Sequence, residues 1–309
     1  MNRFVFGPVP SRRLGQSLGI DLTPTKTCTL DCRYCQLSRT IHHTASRGLF
    51  CDPAEVLAEL RHVLGEIAAP DWITFSGTGE PTLHAGLGII LAEIKKLGVA
   101  PTCVITNSSL LGRSDVRADL CLTDRLLPTL CTVVPATFER LHRPAPGLHL
   151  PDILDGLRLL SGAFKGIIDL EVFVCPGIND GAAEIDGLRE YIRSLPRLDS
   201  IYLNTAVRQP LERDIVAASP EELLAFRDAL GLDLPVATAF EHTPLPRRVD
   251  RKPPPPRQGI LDLLLRHPCT VDQLERVLNL PGGILLETLQ TLEREGKVHV
   301  CPDGQWRLT

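Results

Sequence analysis

Residues 26–36 read Lys-Thr-Cys-Thr-Leu-Asp-Cys-Arg-Tyr-Cys-Gln, and this stretch decides how the rest of the chain is organised. Cys28, Cys32 and Cys35 stand at spacings of x3 and x2, shortly after the apolar run at residues 17–22 (SLGIDL). Thiolates this close can converge on one metal centre. A structural zinc site normally wants four ligands, usually as two separated pairs, and no second Cys pair or HxxxH partner exists in the chain. Three thiolates leave one position vacant, which suits a [4Fe–4S] cluster with one iron free to bind something else. The chain holds ten cysteines; the other seven (Cys51, Cys103, Cys121, Cys131, Cys175, Cys269 and Cys301) are scattered singly, mostly among apolar residues. They read as small buried hydrophobes in a reducing compartment.

Working outward from the cysteine loop, short apolar runs alternate with helical patterns up to about residue 241. Strands are expected at residues 17–22, Trp72–Phe75, Thr102–Thr106, 126–130, 168–174 and 201–205. Helices are expected from Asp52-Pro53, over Leu87–Leu97 with Gly98 as the stop, at 152–160, at 182–194 and from Ser219-Pro220. Strands separated by helices imply a parallel sheet with right-handed crossovers. Six such units are too few for a closed eight-stranded barrel. The fold class is therefore α/β: a partial (β/α)6 parallel barrel over residues 1–242.

The composition then changes. Residues 243–259 (TPLPRRVDRKPPPPRQG) hold six prolines and five Lys or Arg, a semi-rigid basic linker. Residues 260–309 read as a small winged helix: a helix in ILDLLLRH, a second capped by Thr270, a third at 282–295, and a hairpin turning at Pro302-Asp303-Gly304. Winged helices suggest nucleic acid, so charge is the test. This unit carries seven Asp and Glu against five Lys and Arg, and its third helix bears Glu287, Glu293, Arg294 and Glu295. Such a helix repels phosphates, so DNA binding is not expected. Docking of a protein or peptide substrate, or a packing role against the barrel, fits better.

The whole chain has 309 residues, 43% hydrophobic and 23% charged, with a formal net charge of -4. That leaves ample core and no basic surface for wholesale nucleic-acid binding. No apolar run approaches the roughly 18 residues of a membrane span. A cytoplasmic protein is expected.

CxxxCxxC with Tyr34 before the third cysteine resembles the signature of the radical S-adenosylmethionine (SAM) superfamily. The resemblance implies that the unligated iron chelates the methionine end of SAM, whose reductive cleavage gives a 5′-deoxyadenosyl radical that abstracts hydrogen from a substrate. Three further stretches match in order. Residues 76–82 (SGTGEPT) resemble the segment that meets the methionine amino group, which implies roles for Gly77, Gly79 and Glu80; Thr78 between the glycines departs from that pattern. Thr106-Asn107-Ser108 resemble the polar residues that touch the ribose or carboxylate. Residues 174–180 (VCPGIND) resemble the adenine-contacting segment, which implies Ile178 and Asn179. All follow expected strands, where barrels place their chemistry. An electron donor of flavodoxin or ferredoxin type is implied as a partner.

A closer resemblance runs to the enzymes that build the tricyclic wyosine base on transfer RNA, and especially to their short prokaryotic relatives. Residues 6–36, 74–84 (TFSGTGEPTLH), 141–147 (LHRPAPG), 173–180 (FVCPGIND) and 203–210 (LNTAVRQP) carry it. The wyosine enzymes have an additional N-terminal cysteine set for a second cluster, and nothing before Cys28 is cysteine. A single cluster follows, and the cofactor chemistry carries over without the substrate. The two-residue period of the fifth and sixth strands sets Glu171, Asn204 and Arg208 toward the barrel lumen as candidate substrate contacts. Arg143 in LHRPAPG either binds an anion or braces its loop. The alternative function is an iron–sulfur redox sensor with a nucleic-acid-binding winged helix.

Overall fold

The computed structural model describes residues 4–11, 13–207, 210–241, 255–266, 268–301 and 304–309. Each apolar run becomes a strand because one of its faces has helices to bury against. In chain order the elements are β1 (Val5–Ser11), β2 (Gly15–Ile20), β3 (Thr27–Cys28), β4 (His42–His43), α1 (Pro53–Leu64), β5 (Trp72–Phe75), α2 (Leu87–Leu97), β6 (Thr102–Thr106), α3 (Ser114–Leu120), β7 (Arg125–Pro128), α4 (Pro135–His142), α5 (Leu150–Ala163), β8 (Ile167–Phe173), α6 (Ala182–Arg193), β9 (Ser200–Asn204), α7 (Pro220–Leu230) and β10 (Val236–Thr238). The main sheet runs β1-β2-β5-β6-β7-β8-β9-β10. Apart from β1, which pairs antiparallel with β2, neighbouring strands are parallel.

The six expected strands all form, in the expected order. The sheet extends beyond them at both edges, with β1 on one side and a seventh parallel strand, β10, on the other. Prolines at positions 8 and 10 hide β1 in the sequence, and β10 is only three residues long. Helix boundaries follow their caps. The Asp52 side chain accepts from the Ala54 amide, Gly98 ends α2 in the left-handed region (φ 62°), and Ser219 and Glu222 form a capping box on α7.

The two faces of the sheet differ in chemistry. Leu18, Ile20, Phe75, Val104, Leu170 and Leu203 face the helices and are fully buried. The opposite face lines the lumen in layers. At the foot, the turn between β1 and β2 inserts Leu14 against Cys103 and Leu127, with Trp72 and Ile105 beside them. Arg125 Nε donates to Asp169 at 2.5 Å in the same region. Higher, Arg13 reaches Glu171 and lies over the Tyr202 ring. At the top, Phe173 stacks on Tyr34 of the cysteine loop.

The C-terminal unit consists of α8 (Pro256–Leu264), α9 (Val271–Leu278), α10 (Gly282–Arg294), β11 (Val298–Val300) and β12 (Trp306–Leu308). Its first helix starts at Pro256, inside the proline stretch, because proline fits a helix's first turn where no backbone donor is needed. Thr270 caps α9 with Gln273. The expected hairpin forms, although Pro302 and Asp303 at its turn lie outside the described residues. Ile260, Leu274, Leu285, Leu289 and Trp306 build a separate core, and Val9 of β1 packs against it. Among the described residues, no helix is long and apolar enough to cross a membrane.

Candidate cofactor site

The cysteine loop leaves the C-terminal end of β2, and its backbone is held by the last residues of α4 and the loop that follows. Asp31 N donates to His142 O, Arg33 N to Leu141 O, and Ala145 N to Thr29 O, at 2.8–3.0 Å. Arg143, in the left-handed region at φ 44°, sends Nε to the Asp31 carbonyl at 2.8 Å and bonds Glu212 through Nη1. Arg143 therefore braces the loop. Glu212 also receives Arg33 at 2.6 Å, so one carboxylate ties both arginines.

Each of the three expected ligand sulfurs has its own nitrogen neighbour. Lys26 Nζ is 3.2 Å from Cys35 Sγ, His142 Nδ1 is 3.2 Å from Cys32 Sγ, and Asn107 Nδ2 is 3.5 Å from Cys28 Sγ. Burial pushes the Cys28 thiol up to about 11, with the Glu80 charge adding to it, and burial raises Cys32 well above the ordinary thiol range. Metal binding here must displace protons, and N–H donors that stabilise the resulting thiolates assist it. Burial lowers His142 to about 4, so its imidazole is neutral and carries one N–H. Among the described residues, no three His, Cys, Asp or Glu are grouped to hold a single metal ion. Each ligand of a polynuclear cluster bonds its own iron, so that tight grouping is not what such a cluster needs.

The strand-end segments close around this loop. After β5, Gly77 and Gly79 allow close approaches no side chain could share. A Cβ on Gly77 (φ 154°) would lie 2.2 Å from the Asp21 carboxyl carbon, and one on Gly79 would lie 2.0 Å from the Thr27 carbonyl oxygen. Glu80 is buried, and burial pushes its pKa upward; four donors oppose that. Thr82 N, Thr82 Oγ1 and Thr106 Oγ1 bond to Oε1 at 2.7–3.1 Å, while Asn107 N bonds to Oε2 at 2.8 Å. Glu80 thus joins the ends of β5 and β6. Asn107 turns its amide toward Cys28 and Thr29, and Ser108 Oγ is fully buried without a partner among the described residues. Buried hydroxyls are rarely left so. An orphaned buried hydroxyl on the residue after Asn107, whose amide reaches Cys28, fits a site made to receive a polar group.

After β8, Asn179 is spent on the backbone. Its Oδ1 accepts Cys175 N at 2.7 Å, and its Nδ2 donates to Cys131 O and Phe173 O at 2.8 and 2.9 Å. What this segment offers a ligand is the backbone and the Ile178 side chain, which, like Tyr34, packs against the apolar cluster containing Cys131, Phe173 and Cys175. Tyr34 stacks on Phe173 with ring centroids 4.1 Å apart, and its hydroxyl is 3.4 Å from both Cys131 Sγ and His142 Nδ1. Cys131 and Cys175 are buried, as expected of core cysteines.

Of the substrate candidates, Glu171 is paired with Arg13 (2.6 Å) and touches Thr129 at 3.4 Å, while Asn204 accepts the Thr205 amide. Both stand on the lumen side. Arg208 lies outside the described residues. Sequence reasoning missed Lys26, His142 and Arg13 as members of the site. Lys26 sits two residues before the first cysteine, a spacing that hinted at a role; for the other two only the folded chain brings them in.

The model of the radical SAM superfamily matches residues 22–189, more than half of the chain, and the DprA winged helix domain matches residues 244–304. The chain belongs to the radical SAM superfamily and to its UPF0026 family, and is an enzyme of that superfamily. A UPF0026 protein of Methanocaldococcus jannaschii is 30% identical over 300 residues, covering 95% of this chain and 91% of that one. A protein described as GTPase Obg, from Brachyspira hyodysenteriae, is 32% identical over 300 residues, covering 95% of this chain; the chain spans only 43% of that relative's length. The fold also matches the structure of TYW1 with a lysine-pyruvate adduct bound, at a TM-score of 0.53 and 17% identity, covering 74% of this chain and 76% of that chain. Membership of the superfamily implies an iron–sulfur cluster and SAM.

Proposed function

We propose that residues 1–242 form the catalytic unit, joined through 243–259 to an appended unit at 260–309, and that Cys28, Cys32 and Cys35 ligate one [4Fe–4S] cluster. The observation that carries this reading is the set of three side-chain nitrogens, one beside each sulfur. A cluster and SAM held by these residues would supply radical hydrogen-abstraction chemistry. The chain's residues do the rest. Lys26, His142 and Asn107 stabilise the thiolates, and such bonds set a cluster's potential. Gly77, Gly79 and Glu80, whose Oε2 accepts one bond and keeps a second lone pair, receive the methionine ammonium. Thr106, Asn107 and Ser108 face the ribose or carboxylate. Tyr34, Ile178 and the Asn179-braced backbone wall the adenine.

The Arg13–Glu171 pair and Asn204, in the lumen, orient the substrate together with Arg208. The apolar plug at Leu14 excludes water from below, which protects a reactive intermediate. A one-electron donor of flavodoxin or ferredoxin type supplies the reducing equivalent. Anaerobic reconstitution tests the reading. About four irons per chain and 5′-deoxyadenosine formed with dithionite are expected, and Cys32→Ala should lose both. An intact cluster that fails to cleave SAM would defeat the assignment.

A further inference from the structure

Two arginines of the C-terminal unit reach the rim of the barrel. Arg266, two residues past the end of α8, is only 5% exposed. Its Nε donates to Asp21 Oδ2 at 3.2 Å, its Nη1 donates to the Asp262 carbonyl at 3.2 Å, and its guanidinium lies 4.9 Å from the centre of the Phe6 ring. Arg307, on β12, donates from Nη1 to the carbonyl of Gln36 at 3.2 Å. Gln36 directly follows the third cluster cysteine. The winged helix therefore abuts both the strand that leads into the cysteine loop and the end of that loop.

Asp21 is the pivot. It follows β2 directly, is buried, and uses the same Oδ2 to accept the Thr78 amide at 3.0 Å and the Thr78 hydroxyl at 3.1 Å. Thr78 is the residue that departs from the superfamily pattern between the two glycines. The Gly77 Cα lies so close to the Asp21 carboxylate that no side chain fits there. Burial alone would favour the neutral acid at Asp21, and Arg266 opposes that. A neutral carboxyl would give up acceptor capacity that Thr78 uses. One buried guanidinium on the appended unit thus holds one buried carboxylate, which in turn holds the loop at residues 76–80.

We propose that Arg266 is a positioning residue for the SAM site: through Asp21 and Thr78, the winged-helix unit fixes the residue 76–80 loop in the form that receives the methionine end. The appended unit is then part of the wall of the cofactor site. This inference rests on the assignment of the loop to SAM made above, and two separate readouts keep the two apart.

Hydrogen exchange on the full-length chain without SAM reads the loop itself. Equilibrium dialysis of SAM against the reconstituted protein reads the cofactor. In Arg266→Met, the Thr78 amide should exchange at least about tenfold faster and SAM should bind about tenfold more weakly, for the loss of one charge-assisted contact. Iron content and exchange across Thr102–Thr106 should stay as in the wild type. Arg266→Lys, which keeps the charge, should recover most of both effects. Arg257→Met, which removes the exposed Arg257–Glu295 pair of the same unit, should change neither. Unchanged Thr78 exchange in Arg266→Met would overturn the proposal. Faster exchange with unaltered SAM affinity would uphold the mechanical link and overturn the assignment of the loop to the cofactor. If Arg266→Met does not fold, Arg266→Gln is read by the same two measurements and the same criteria.

Discussion

The cofactor rim and the winged-helix unit are built on opposite plans. At the rim, loops are held by buried polar contacts between residues far apart in sequence: Glu80 with Thr106 and Asn107, Cys32 with His142, Asp21 with Arg266. In the winged helix, short amphipathic helices with local caps close over an apolar core made within about fifty residues. The first plan positions reactive groups but has little stability of its own, because each unpaired buried polar group costs more than its bond returns. The second is stable by simple burial and needs no precise polar geometry. The contrast explains why the appended unit can serve as a brace for the rim.

Removing core volume from the winged helix should have the largest effect. Leu285 is fully buried there, and Leu285→Ala should cost roughly 2–5 kcal/mol, read as a fall in the denaturation midpoint of this unit. Cluster content in the folded protein should not change; a parallel loss of iron would mean that the two regions are not separately stabilised.

A pH effect of about 3 kcal/mol is expected near the rim. Burial, with Arg47 adding, lowers His84 to about 4 from its ordinary 6.5, and its Nδ1 accepts the Phe50 amide at 3.3 Å. The unfolded chain therefore binds this proton more readily between those values. The stability from the neutral ring is complete above about pH 6.5 and is lost as the pH falls toward 4. Chemical denaturation at pH 7.5 and 4 should show the loss, and His84→Gln should flatten it. An unchanged slope in that variant would place the acid sensitivity elsewhere.

The smallest effect concerns the sulfur donors and sharpens the comparison most. Lys26→Met removes a cationic donor from Cys35, so the more negative reduced cluster loses stabilisation and its potential should fall. The expected change is on the order of 60 mV, a tenfold shift in a one-electron equilibrium. Potentiometric titration followed by electron paramagnetic resonance would measure it. An unaltered potential would reduce Lys26 to a loop residue.

Much of this was open to reading in the chain. The strand–helix alternation predicts the six central strands because parallel strands bury one whole face under helices, and that burial writes continuous apolar runs. Cap residues such as Asp52 and Ser219 mark helix starts because their side chains satisfy donors only a few positions away. The edge strands were not legible: β1 is masked by prolines and β10 is too short to show a period. At the site, the cysteine spacing and the glycines before Glu80 stood out because they are local. Arg13, His142 and Arg266 did not, since each acts across 110 to 245 residues of sequence.

The sequence by itself determined the cysteine spacing that marks the candidate cluster ligands, the order of strands and helices, and the acidic character of the winged helix. All three rest on neighbours in the chain, through spacing, periodicity and charge count. Only the tertiary structure decided what surrounds each sulfur, that the Glu171 carboxylate is matched by Arg13, and that the winged helix grips the barrel rim through Arg266. Those outcomes depend on which buried polar groups find partners, and buried pairing is settled by the packing of distant segments.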